Sequence, residues 1–181
     1  EDYGDAPNGT ATGYSTGAAI GAFPIAEGAG GPYHPLPFAA WLGEFETPEP
    51  APALVDSADD GLALLDLESC ATSSALIVIN AAGLSPEERA NPLYLNVWAD
   101  WDRDGTWDGS GGCAPEAAVT NMEIDVSGSP DLDVLAVEFT GGAQVEEFWM
   151  RVMVTTAPMT VVVIDEMDGE TEDYLVFGGF A

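Results

Sequence analysis

Nine residues, Asp100-Trp101-Asp102-Arg103-Asp104-Gly105-Thr106-Trp107-Asp108, constrain this chain more than any other stretch. They set carboxylates at positions 1, 3, 5 and 9 around a glycine at position 6. A hard divalent cation takes six to eight oxygen ligands, and alternate residues of a tight loop can all point inward while the glycine lets the backbone reverse. The spacing predicts a calcium loop. Asp100, Asp102 and Asp104 offer side-chain oxygens, Thr106 its backbone carbonyl, and Asp108 a direct or water-mediated contact. An ordinary acidic turn needs one or two aspartates, not four. The loop is not set between helices. Leu93-Tyr94-Leu95-Asn96-Val97-Trp98 precedes it, alternating and rich in β-formers, and position 12, where a helical calcium hand closes with glutamate, is Gly111. The loop therefore leaves a strand, and further ligands must come from elsewhere in the chain.

Charge sharpens that expectation. There are 32 acidic residues against three arginines (Arg89, Arg103, Arg151), for a formal charge of -29. Self-repulsion on this scale opposes a compact state, and bound divalent cations or surrounding salt relieve it. Nucleic acid is excluded as a partner, because phosphate binding needs clustered Lys and Arg. An anionic membrane surface is disfavoured for the same reason, and no apolar run is long enough for membrane insertion.

Hydrophobic residues make up 46% of the 181, enough for a core, so residues 1–181 read as a single domain. Short strands separated by turn residues are written at 74–80, 93–98, 119–126, 134–140, 148–155, 160–164 and 174–177. The run at 74–80 is almost continuously apolar, as expected of a strand covered on both faces. Residues 84–89 make one helical turn at most, with Ser85 able to cap and Pro86 suited to the first position. Strands without alternating helices predict an all-β fold, an antiparallel β-sandwich of jelly-roll or immunoglobulin-like topology. The main strands occupy 71–181. Residues 1–70, rich in Gly, Ala, Thr and Pro, are expected to form long ordered loops.

Cys70 and Cys113 lack any Cys-x-x-Cys spacing. In an exported protein they would form one disulfide, and in a cytosolic one they would be two buried thiols. An opening at Glu1-Asp2-Tyr3 is expected either of a mature terminus or of a cut from a longer protein. Zinc is disfavoured by one histidine and two separated cysteines. That histidine, His34, sits in Pro-Tyr-His-Pro with no acid nearby in sequence, so no nucleophilic triad is legible and no enzyme activity is expected. Trp101 and Trp107 beside the acidic loop could face a glycan, although burial across the loop is the expectation favoured for Trp107.

Further acids stand beside turn glycines: Asp2 and Asp5, Glu44 and Glu46, Asp56, Asp59 and Asp60 before Gly61, and Glu170, Glu172 and Asp173 after Gly169. Taken together, Asp2-Tyr3-Gly4-Asp5-Ala6-Pro7, Asp59-Asp60-Gly61, Trp98-Ala99-Asp100-Trp101-Asp102 with Asp104-Gly105, Trp149-Met150-Arg151-Val152 and Gly169-Glu170-Thr171-Glu172-Asp173-Tyr174 resemble the GEVED domain along nearly the whole chain. Thr171 stands where that family has valine. The resemblance implies a secreted or cell-surface β-sandwich with calcium held between the acidic loop, the closing Glu-x-Glu-Asp and the N-terminal segment. Carried over by position, it adds Glu170, Glu172 and Asp173, then Asp2, Asp5, Asp59 and Asp60, to the metal-binding set. It supplies no enzyme activity. Two roles follow as expectations: a calcium-stabilised extracellular subunit that assembles with copies of itself into a filament or other surface assembly, or an adhesion module of a larger protein with glycans as partners.

Overall fold

The computed structural model describes residues 3–17, 19–25, 31–46, 59–143, 147–159 and 168–177. The strands in chain order are β1 (Asn8–Ala11), β2 (Ile20–Ala22), β3 (Trp41–Leu42), β4 (Leu62–Asp66), β5 (Thr72–Asn80), β6 (Leu93–Ala99), β7 (Ala117–Ile124), β8 (Leu132–Thr140), β9 (Glu147–Thr155) and β10 (Gly169–Phe177). The fold is all-β, with every strand pairing antiparallel. The expected turn at 84–89 is a 3-10 turn, Glu88–Ala90, and Ser85 and Glu88 exchange bonds to each other's backbone N–H. The strand expected at 160–164 lies outside the described residues. No helix among those described is long and apolar enough to cross a membrane.

One sheet runs β10-β9-β6-β7. In the other, β8 pairs with β5 along nine residues, so β4 and β3 follow one another along the opposite edge of β5. Alternation then decides what each face buries. Leu95, Val97 and Ala99 of β6 and Phe148, Met150, Val152 and Val154 of β9 meet Ala75, Ile77, Ile79, Val137 and Phe139 of the second sheet, and this is the larger core. The sandwich has a third layer. Trp98, Trp149 and Met153 point from the opposite face of the first sheet and are covered by Ala6, Tyr14, Phe23 and Ile25 of the N-terminal segment. The glycine- and proline-rich start of the chain is thus a lid on the first sheet, with the short β1–β2 hairpin as regular structure among its described residues. Double coverage explains why β6 and β9 are buried on both faces.

Two expectations change. The apolar run in β5 is covered on one face only, so that Ser74, Leu76 and Val78 remain half-buried on the other. The final strand begins at Gly169 rather than 174, so the acidic motif lies within β10 and not in a loop beside it.

Cys70 and Cys113 form a disulfide that ties the β4–β5 turn to the segment before β7. By loop-closure entropy, a bridge across 43 residues stabilises by about 4 kcal/mol.

Candidate metal centre

β6 delivers the acidic loop. Its pairing with β9 continues one residue past the strand, where the Asp100 N–H donates to the Trp149 carbonyl at 2.9 Å. Two tryptophans then fix the loop from opposite sides of the sheet. Trp101, 1% exposed, enters the inter-sheet core 4.6 Å from the Phe148 ring, and its indole N–H donates to the Pro115 carbonyl at 3.1 Å. Trp107, 4% exposed, enters the outer cluster 4.3 Å from the Phe23 ring, with the Arg151 guanidinium 5.4 Å from its own ring centre. Neither faces solvent as a sugar platform would, because each is the large apolar group that closes its side of the sheet.

Between these anchors the carboxylates converge. One oxygen from each of Asp100, Asp102 and Asp104 lies within 4.8 Å of the others, the cluster among the described residues that could hold a metal ion. Asp100 is fully buried and the other two are exposed. The Asp104 and Gly105 N–H groups each donate to Asp100 at 3.0 Å, Asp104 N–H also to Asp102 at 3.2 Å, and Thr106 N–H to Asp104 at 2.9 Å. Asp108 is exposed and stands outside the cluster of three, 2.7 Å from the Thr106 hydroxyl. Gly105 has φ +88°, and a Cβ there would stand 3.0 Å from the Ile20 carbonyl oxygen. The position requires glycine twice over, for its left-handed backbone and for the approach of the β1–β2 hairpin, whose Ala22 N–H donates to the Gly105 carbonyl at 2.7 Å. From the same N-terminal segment, the Tyr14 hydroxyl donates to Asp100 at 2.5 Å.

The structure adds a fourth acid that the loop spacing does not contain. Glu116, immediately before β7, is completely buried and accepts from Gly109 N–H at 2.7 Å and Asp102 N–H at 3.4 Å. Burial, reinforced by the charges of Asp102 and Asp100 and opposed by the Gly109 N–H, pushes its carboxyl up to about 7. Burial also raises Asp100, against the pull of the Tyr14 hydroxyl and the Gly105 N–H. The Tyr14 hydroxyl is itself raised, by burial first and then by its bond to Asp100. Arg103, inside the loop, donates to the Thr16 carbonyl and hydroxyl and stands 3.9 Å from Glu147. Asp100 and Glu116 are therefore buried acids held by N–H and hydroxyl donors, a donor set of oxygen ligands alone, which suits a hard cation.

The acids of β10 are placed elsewhere. Asp100 pairs with the Trp149 level of β9 and Leu175 with the same residue from β10, so Asp173 is two strands and two residues from Asp100, on the order of 12 Å by strand spacing. Strand alternation divides the motif between two faces. Glu170 accepts from Leu42 N–H of β3 at 2.6 Å. Glu172 accepts from Asp60 and Gly61 N–H, each at 3.0 Å, and from the Tyr174 hydroxyl. These side chains reach the second sheet. On the other face the Thr171 hydroxyl lies 2.8 Å from Nε2 of fully buried His34. Asp173 there receives two bonds from Arg151, each 2.7 Å, and one from Ala6 N–H at 2.8 Å. A Cβ on Gly4 would stand 2.1 Å from that guanidinium, so the Asp-Tyr-Gly-Asp-Ala-Pro segment owes its glycine to backbone lying directly on the ion pair.

Of the other expected ligands, Asp5 is buried in this N-terminal segment. Asp60 accepts from Glu44 N–H at 3.0 Å and, with Asp59, lies by Glu172 and Tyr174. Asp2 lies outside the described residues. The structure thus gathers Asp100, Asp102 and Asp104, sets Glu116 against the Asp102 backbone, and gives Glu170, Glu172 and Asp173 separate donors.

A family model of the GEVED domain matches residues 94–177, from the second residue of β6 to the last of β10. The chain carries a GEVED domain. The match includes the acidic loop, Glu116, the disulfide's Cys113 and the Gly-Glu-Thr-Glu-Asp motif, while the N-terminal Asp-Tyr-Gly-Asp-Ala-Pro segment, Asp59 and Asp60 lie before it. Neither the curated proteins nor the solved structures gave a match.

Proposed function

We propose that the chain is an extracellular structural subunit whose fold is stabilised by calcium at Asp100, Asp102, Asp104 and Glu116, and which assembles with copies of itself. The observation that carries the calcium reading is the convergence of Asp100, Asp102 and Asp104, with fully buried Glu116 against the Asp102 backbone. Bringing like charges together in a low-dielectric site is costly unless a countercharge joins them. With carboxylates and backbone carbonyls as ligands, calcium fits the irregular, partly exposed loop better than magnesium, which demands near-octahedral geometry. The disulfide is compatible with an oxidising compartment, and the GEVED family's occurrence in secreted and surface-anchored proteins supports the same location. A charge of -29 favours a site in which a cation is part of the folded state. The alternative, a calcium-dependent adhesion or glycan-binding module, drew on Trp101 and Trp107 facing outward, and both are buried.

Two measurements test the proposal. Calcium should raise the melting temperature by mass action, a chelator should lower it, and Asp102→Ala with Asp104→Ala should mimic the chelator even in high salt, where screening is already complete. Light scattering and negative-stain imaging should show assembly that rises with calcium. A melting curve indifferent to chelation removes the calcium half, and a monomer at high concentration in millimolar calcium removes the assembly half.

A further inference from the structure

A row of unpaired N–H and C=O groups templates another strand, so soluble proteins blunt sheet edges with register shifts, prolines, lysines, short strands or covering segments. Most edges here are treated in this way. β7 shifts register twice against β6 and holds Asn121 at positive φ. β4 is five residues long and also shifts. The first five residues of β10 are buried. Among the described residues β8 has one device alone, the acid Asp133, whose carboxylate accepts from the outward Val134 N–H at 2.8 Å. It pairs with β5 through nine consecutive residues with no shift, and among the described residues it pairs with no other strand. Its outward side chains include Leu132, 43% exposed, and Val134, 53% exposed, and the apolar surface continues across the sheet through Val78 and Leu76 to Leu64. In a chain with 32 acids, β8 carries two, Asp133 and Glu138.

We propose that β8 is a self-docking edge: two copies pair antiparallel through β8 about a two-fold axis at Ala136, joining their β4-β5-β8 sheets into one. This rests on the self-assembly reading and names its surface. The occupant follows from charge and pattern. Pairing centred on Ala136 keeps all nine residues matched, with Asp133 opposite Phe139 and Val134 opposite Glu138 of the second copy, so no acid faces another. Inward residues stay opposite inward residues, whereas a slip by one position would turn each core side chain to the wrong face. Registers centred on Asp133 or Glu138 set an acid opposite itself. Like charges directly opposite destabilise a strand pair, and among the registers that avoid them the one centred on Ala136 is the one that matches all nine residues. The contact is isologous and closes at two, so it forms a dimeric unit, and a longer assembly adds a further contact to it.

The test uses the full chain in calcium at physiological salt. Ala136→Cys should yield a covalent dimer on mild oxidation, because directly opposed Cβ atoms lie about 4.5–5.5 Å apart, while Thr120→Cys on β7 should not. In sedimentation equilibrium, Ala136→Glu should weaken dimerisation about tenfold or more, and Val134→Lys, facing Glu138 of the second copy, should tighten it. Both positions are exposed, so at concentrations where the chain is monomeric melting curves should be unchanged. Wild-type assembly that is insensitive to Ala136→Glu, with no cross-link at position 136, overturns the β8 edge and leaves self-assembly standing. A wild-type chain monomeric at all concentrations overturns both, while the calcium reading is still judged by the melting temperature.

Discussion

Glu116→Gln acts on the metal centre from inside, and the stability it gains without a cation should shrink in calcium. Without a cation the substitution removes a buried negative charge and keeps an oxygen to accept from Gly109 N–H. Its folded carboxyl is raised from 4.5 to about 7, so the contribution of Glu116 to stability is fully present below pH 4.5 and is lost as pH climbs to 7. At about 1.4 kcal/mol per tenfold change in proton affinity, the loss is at most about 3.5 kcal/mol, and sharing among the neighbouring acids brings the expected figure to about 2. Calcium-free Glu116→Gln should therefore be about 2 kcal/mol more stable than wild type at pH 8 and equal to it near pH 4. With calcium at a hundred times its dissociation constant, wild type gains about 2.7 kcal/mol, and a tenfold loss of affinity reduces that gain to about 1.4. Urea denaturation in chelator and in calcium, at both pH values, measures all four quantities. A calcium-free variant less stable than wild type at pH 8 would show that Glu116 serves only to cap Gly109 and Asp102. An unchanged calcium increment would remove it from the site.

Two further outcomes probe β10. Asp173→Asn should cost about 3–5 kcal/mol in chemical denaturation, because it leaves Arg151 charged with side-chain exposure of 3%; a loss under 1 kcal/mol would refute a structural role for the pair. Glu172, raised by burial from 4.5 to about 7, should make stability fall as pH rises between those values by about 3.5 kcal/mol at most, in calcium or chelator alike; Glu172→Gln should flatten this fall, and a profile identical to wild type would contradict it.

The parts of this molecule legible in its sequence are those set by local spacing. Alternation located β6, β8 and β9 to within two residues, and the aspartate spacing located the loop. What long-range partners decide was hidden. The acids of β10 look like solvated loop residues because nothing near them in sequence reveals Leu42, Gly61 or Arg151, the donors that let a carboxylate-rich strand be buried. Glu116 was missed because it lies eight residues beyond Asp108. The Gly109–Gly112 stretch folds it back beneath the loop, and a lone acid between Pro115 and the first residue of β7 is its only local signal. The N-terminal layer left almost none, since several of its hydrogen bonds with the sheet run through backbone: the Thr12 carbonyl accepts from the Trp149 indole and the Pro24 carbonyl from Arg151.

The two acidic systems solve opposite physical problems with the same residue types. In β10, each carboxylate that alternation sends to the second sheet finds backbone N–H donors there, and Asp173, sent the other way, takes Arg151 and Ala6 N–H, so the motif stitches three layers together. In the loop, carboxylates converge on one another and draw most of their donors from the loop's own backbone, which fixes their positions without cancelling their charge. The loop is nevertheless joined to the stitched layers, because Tyr14 and Ala22 of the N-terminal segment hold Asp100 and Gly105, and Ala6 of that segment holds Asp173. A countercharge at the loop therefore acts beyond it: by relieving repulsion at Asp100, it strengthens the seating of the segment that covers Trp98, Trp149 and the Arg151–Asp173 pair. With calcium bound at the loop as proposed, the N-terminal lid should be the region whose stability depends most on it.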